Sequence, residues 1–123
     1  MVDRTTPKYQ AVSRAAAIRH RAKRRQFIHE LKKTLSCVYC GISNPLCIDF
    51  DHVNRSTKLA TPATMITSGH NWENVLAEIQ KCQPVCANCH RMKSIAESQK
   101  MKAIDEDIFQ YMPPKMIEEF KIQ

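Results

Sequence analysis

The sequence predicts a small α+β fold, with helix at both ends and a short strand lying between two paired-cysteine turns. Three observations lead to it. Residues 8–34 contain no glycine and are rich in Ala, Arg, Lys and Gln, as a helix requires. Residues 46–53, Leu-Cys-Ile-Asp-Phe-Asp-His-Val, are a short β-favouring run preceded by a Gly-Ile-Ser-Asn-Pro turn. Cys37-Val-Tyr-Cys40 and Cys86-Ala-Asn-Cys89 repeat one compact spacing at two distant points of the chain.

In the N-terminal helix the apolar stripe of Phe27, Ile28, Leu31 and Leu35 occupies only the C-terminal end. Residues 19–26 are polar nearly all round, which places them outside a core. After the strand, residues 54–70 read as a polar loop closing on Ser68-Gly69. A helix then begins at Asn71, a good N-cap, and carries Trp72, Val75, Leu76 and Ile79 on one face. Gln83-Pro84-Val85 leads into the second cysteine turn. His90 opens another helix with Ile95, Ile104 and Ile108 at core-like positions, ended by Pro113-Pro114. The tail from Lys115 is a short amphipathic segment.

With 123 residues, 43% hydrophobic and 25% charged, the chain has the composition of one globular domain with extensions. No run approaches the ~18 apolar residues of a membrane span, and the first residues lack the apolar core of a secretory signal. A membrane partner is therefore not expected. The net charge of +7 is confined to one region: residues 1–36 hold ten Lys and Arg against two acids. Such a surplus fits a solvated helix face, a transit peptide or an arm that tracks phosphates.

In a chain without a secretory signal, clustered thiols bind metal more often than they form disulfides. Tetrahedral zinc takes four thiolates, and each C-x-x-C turn delivers two. Cys37, Cys40, Cys86 and Cys89 are thus the expected ligands of a structural Zn²⁺ that links distant segments of a chain with little core. Cys47 and Cys82 read as small buried hydrophobes. The string Cys86-Ala-Asn-Cys89-His90 also matches haem attachment, but that reading leaves the first cysteine pair without a role. No βαβ context surrounds either pair, as a thioredoxin-like site would need.

A zinc site joining the two turns would bring His90 towards Asp49-Phe50-Asp51-His52. That grouping supplies a carboxylate and an imidazole for a divalent ion and a second imidazole as a base, the minimum for metal-assisted phosphodiester hydrolysis. Adjacent strand residues point to opposite faces. If the strand runs straight, Asp49 and Asp51 share a face and Asp49 rivals Asp51 as a ligand.

The run Cys37-x-x-Cys40, Asp51-His52, then Cys86-Ala-Asn-Cys89-His90-Arg91 resembles the HNH endonuclease family over residues 37 to about 94, in the zinc-bearing form common in bacteriophages. Lys58, Trp72-Glu73, Glu78 and Lys81-Cys82 fit the same pattern. The resemblance implies a ββα-metal core: a two-stranded hairpin and a helix pinching one catalytic ion. It implies His52 as general base, Asp51 and His90 as ligands of Mg²⁺ or Mn²⁺, and products with 5′-phosphate and 3′-hydroxyl ends. One site per chain implies a nick, so a double-strand cut would need a homodimer or a second event. A phage-encoded enzyme of this kind would act in the host bacterial cytoplasm on double-stranded DNA, alone or with phage packaging proteins.

On this reading the chain divides into a basic helical arm (1–36), a zinc-stabilised nuclease domain (37–95) and a C-terminal helical extension (96–123). Arg19, Arg21, Arg24 and Arg25 on the arm, with Arg91 and Lys93 after His90, are the expected phosphate contacts. His20, His29 and His70 read as solvated, and Trp72 as a core anchor. Two positions depart from the family. The register of its central asparagine falls on Lys81, with Asn74 and Asn88 out of place, and Ser94 stands where many relatives carry a further helix ligand. The alternative is a non-catalytic zinc-ribbon module that binds nucleic acid, or a degenerate HNH protein working within a partner complex.

Overall fold

The computed structural model describes residues 3–99 and 106–121, a mostly helical α+β arrangement around a two-stranded sheet. Helix α1 (Pro7–Lys32) begins where Thr6 caps it: the Thr6 hydroxyl accepts from the Tyr9 N–H at 3.2 Å, and Pro7 takes the first position, where no N–H is needed. At 26 residues it extends about 39 Å, yet only Ile28 is buried. Its N-terminal part, with Val12 and Ile18 exposed, projects from the body, as the one-ended apolar stripe predicts. The polar stretch is not wholly free, however. Arg24 donates to the His70 carbonyl at 2.9 Å and Arg25 to the Thr67 hydroxyl at 3.2 Å, which ties α1 to the segment that follows the strand.

Strand β1 (Ile48–His52) pairs antiparallel with β2 (Cys82–Cys86), from Ile48 opposite Cys86 to His52 opposite Cys82. Pro84 sits inside β2 and has no N–H to give. A two-stranded sheet tolerates this, because each strand has a free edge, and the Pro84 carbonyl accepts from Val38 N–H at 3.0 Å in the first cysteine turn.

The segment read as a loop contains more structure than expected. Asn54 caps a 3₁₀ turn at Arg55–Thr57, and Thr61 caps α2 (Pro62–Thr67), which buries Met65 and Ile66. Gly69, at φ 75°, follows α2 in the left-handed conformation that ends many helices. Helix α3 (Trp72–Gln80) begins at the expected Asn71 cap, and α4 (Ala87–Gln99) begins three residues before His90, so the second cysteine turn forms its first turn.

Pro113-Pro114 does not end a helix. A 3₁₀ turn spans Glu106–Tyr111, and Pro114 opens α5 (Pro114–Lys121) from its first position. Ile95 is 45% exposed, not core. Ile108 packs against the core, and Ile104 lies outside the described residues.

Two small cores flank the sheet. One gathers Ile48, Val85, Met112, Met116 and Phe120 around the buried cysteines. The tail α5 thereby becomes part of the cysteine module, and Tyr39 Oη seals the contact by donating to Glu119 at 2.5 Å. The other packs Ile28 of α1 against Met65, Ile66 and Val75, with Phe50 and Trp72 at its margin. Among the described residues no helix is long and apolar enough to cross a membrane.

Candidate active site and metal centre

Cys37 and Cys40 lie in the turn after α1, Cys86 ends β2, and Cys89 lies in the first turn of α4. All four Sγ atoms fall within 4.8 Å of one another, and Cys40 and Cys86 are 3.6 Å apart. Tetrahedral zinc with ~2.3 Å bonds places its sulfurs about 3.8 Å apart, so this cluster could hold a metal such as zinc. Burial opposes a thiolate at Cys37, but backbone N–H groups of Cys86, Cys40 and Tyr39 outweigh it and bring the thiol down to about 6. Burial and the neighbouring sulfurs push Cys89 the other way. Four thiolates this close repel one another unless a cation neutralises them. Cys47 and Cys82 stay outside the cluster. Cys82 donates to the Glu78 carbonyl at 3.3 Å, and burial, with the charges of Glu78 and Asp51, raises its thiol to about 11.

A second polar group lies at the far end of β1. Asp49 and Asp51, two residues apart on β1, both reach α4, through His90 and Lys93. Both carboxylates approach His90: Asp49 Oδ2 is 3.1 Å from Nδ1, and Asp51 Oδ1 is 3.6 Å from Nε2. His90 is thus held at Nδ1 by Asp49, with Asp51 just beyond hydrogen-bond reach of Nε2. Asp51 Oδ2 also takes the ammonium of Lys93.

His52, 5% exposed, has its Nε2 3.1 Å from Oε1 of Glu78, a carboxylate 1% exposed on α3. Glu78 also accepts from the Leu59 N–H at 3.0 Å and pairs with Lys81 at 3.1 Å. Burial opposes the charge on Glu78, but these three donors outweigh it and hold its pKa below the ordinary range. Lys81 Nζ donates to the Thr57 carbonyl at 2.9 Å, so Glu78 and Lys81 together pin the loop that follows His52. Asp51, His52 and His90 then line one cavity of about 300 Å³ with Phe50, Arg55 and Lys58.

The basic residues divide by placement. Arg19 and Arg91 are exposed and Arg21 is half-buried. Arg24 and Arg25 are engaged by backbone and side-chain oxygens, and the Arg24 guanidinium lies 5.5 Å from the Trp72 ring centre. Lys93, read from the sequence as a surface phosphate contact, is buried in its ion pair with Asp51, with Glu97 at 3.6 Å. Three residues after His90 on the same helix, it must share the inward face. Arg24→Ala is expected to cost about 1 kcal/mol by removing the charged hydrogen bond and the ring contact, measurable as a lower urea midpoint.

Glu78 is the partner the sequence reading leaves without a role. Its signal is visible in retrospect: a carboxylate placed three residues from Val75, inside the apolar stripe of α3, needs buried partners.

No family model, curated protein or solved structure matches the chain.

Proposed function

We propose that the chain is a zinc-stabilised endonuclease of the HNH type that hydrolyses DNA phosphodiester bonds with a divalent ion. The observation that carries this reading is the convergence of the Glu78-held His52 and the Asp51–His90 pair on one cavity. An antiparallel strand pair with α4 packed across it, next to four clustered cysteines, supports it. Asp51 Oδ1 and His90 Nε2, 3.6 Å apart, would hold a Mg²⁺ or Mn²⁺ ion; such ions commonly take one or two protein ligands and complete the shell with water and phosphate. When bound, the ion supplies stabilisation of the charge on the phosphate and the departing 3′-oxygen.

The chain's own residues do the rest. Glu78 occupies His52 Nε2, and Nδ1, which has no hydrogen-bond partner among the described residues, takes the proton of the attacking water. The buried Glu78 carboxylate then stabilises the imidazolium that forms. Asp49, on the other nitrogen of His90, fixes the tautomer that turns a lone pair on Nε2 towards Asp51. Arg55 and Lys58 line the cavity where the phosphate enters. Lys81 holds the loop after His52, which is the task of the family's central asparagine at that register. Arg19, Arg21 and Arg91 add contacts to the phosphates of double-stranded DNA. A phage origin, action in the host cytoplasm, and a homodimer or packaging complex for double-strand cutting belong to the same reading.

One observation favours the alternative, a binding module without catalysis: the Lys93 ammonium already neutralises Asp51. Nicking of supercoiled plasmid separates the two. With Mg²⁺ or Mn²⁺, His52→Ala is expected to nick about 10²–10⁴-fold more slowly than wild type at equal zinc content and equal plasmid binding. A wild-type chain that binds zinc and plasmid but never nicks would establish the binding module instead.

A further inference from the structure

Between α1 and the segment running from β1 into α2 lies a groove of about 450 Å³, within the ~300–1,000 Å³ range of ligand sites. Its floor is apolar, built from Ile28, Leu46, Phe50, Pro62 and Ile66. One wall is basic: Arg25, His29 and Lys32 project from a single face of α1, spaced four and three residues apart. Lys32 Nζ is held 5.4 Å from the Phe50 ring centre and Arg25 is fixed on Thr67. Neither cation forms an ion pair among the described residues. The one acid in the lining is Asp49, whose Oδ2 is turned onto His90. Phe50 lines both this groove and the cavity of Asp51, His52 and His90, so the two are neighbours.

An apolar slot with unneutralised cations along one side, next to a site for a phosphodiester, has the chemistry of a nucleotide: a flat base to bury and a phosphate to pair. We propose that the groove is a subsite for one unpaired nucleotide flanking the scissile phosphate, its base on Phe50, Leu46 and Ile28 and its phosphate against Lys32 and Arg25. The assignment rests on the endonuclease reading and narrows its substrate. A paired base is held in the duplex stack and cannot enter such a slot without unstacking, whereas a bulged or single-stranded base enters at little cost. The substrate class is therefore DNA with an extrahelical or unpaired nucleotide next to the cut.

The test is fluorescence anisotropy of the zinc-loaded full chain, without Mg²⁺ or Mn²⁺, on a fully paired duplex and on the same duplex carrying a one-nucleotide bulge. The bulged duplex is expected to bind about tenfold more tightly, the scale of one stacked base. Ala63→Trp fills the groove from an exposed position of α2 without changing charge, and should bring the ratio of the two affinities to one. Leu46→Ser, at a residue 83% exposed, should lower that ratio about threefold. Equal affinities in the wild type, or a preference that persists in Ala63→Trp, would overturn the proposal and leave the groove to an apolar peptide. Because the readout is binding, a chain that prefers the bulge but never nicks plasmid would sink the nuclease reading alone.

Discussion

Cys89→Ser is expected to abolish metal binding and with it the cooperative unfolding transition of the whole cysteine module. Cys89 is 2% exposed in the first turn of α4, and its sulfur belongs to the four-cysteine cluster whose ligand atoms all lie within 4.8 Å of one another. That group joins the turn after α1 to the junction of β2 and α4, and α5 packs on the same core. Structural zinc contributes roughly 10–16 kcal/mol in small zinc-dependent folds, as much as the entire ~5–15 kcal/mol stability of an ordinary domain. Little else could replace it here, since each core holds few large side chains. The expected result is a zinc content near one per chain in the wild type and near zero in the variant. The variant's circular-dichroism melt should be broad and featureless, and a strong chelator should reproduce it in the wild type. A sharp melt in metal-free Cys89→Ser would show that the cores suffice alone.

Glu78→Ala should be the most destabilising substitution away from the cysteines, by about 3–5 kcal/mol. The carboxylate meets three donors at once: His52, the Leu59 backbone N–H and Lys81. Truncation leaves the buried His52 imidazole with no acceptor and frees the Leu59 N–H, and a buried orphan costs about 1–3 kcal/mol. Glu78→Gln keeps an acceptor for one of these donors and loses the charge. It should cost less stability than Glu78→Ala yet still slow nicking, because the amide does not stabilise an imidazolium as a carboxylate does. Urea unfolding of both variants, set beside their nicking rates, separates support of the fold from orientation of His52. Equal stability of wild type and Glu78→Ala would mean that His52 is held by its strand alone.

The features legible in the sequence are those fixed by local chemistry. Asn71 is a capping signal and α3 begins beside it, and α1 occupies most of the glycine-free run of residues 8–34. The four cysteines meet because each pair is a self-contained turn, and their spacing needs only one long-range closure. The misread elements depend on tertiary context. Thr61-Pro62 carries a start signal too, but six residues with Met65 and Ile66 adjacent show no helical period, and α2 exists because those two side chains reach the second core. Pro113-Pro114 reads equally as a stop or as a first position. Met116, Ile117 and Phe120, on one face of the following turns, decide for a start. Pro84 argues against a strand in general and is admitted because this sheet has only edges.

The site divides in the same way. Asp51, His52 and His90 stand out by residue type and spacing, and they do line a common cavity. The roles of Asp49, Glu78 and Lys93 depend on which way a side chain faces once strand and helix are docked. Asp49 follows from the period of the strand, since it shares a face with Asp51. Lys93 follows from the period of α4: once His90 faces the sheet, a residue three positions later faces it too, and Ile95, five later, turns out to solvent. Lys93 replaces what would be a surface cation with a buried one, and its pairing with Asp51 is the feature that bears most directly on metal affinity.

On the proposed function, the cavity of Asp51, His52 and His90 hydrolyses DNA through a water activated by His52. Its most direct test is incubation of the zinc-loaded wild-type chain with end-labelled duplex DNA, fully paired and carrying a one-nucleotide bulge, in Mn²⁺ or Mg²⁺, followed by analysis of the product ends. The expected products are fragments with 3′-hydroxyl ends that a polymerase extends, formed only with the added ion and lost in His52→Ala. No cleavage by the wild type under either ion, or cleavage undiminished in His52→Ala, would contradict it.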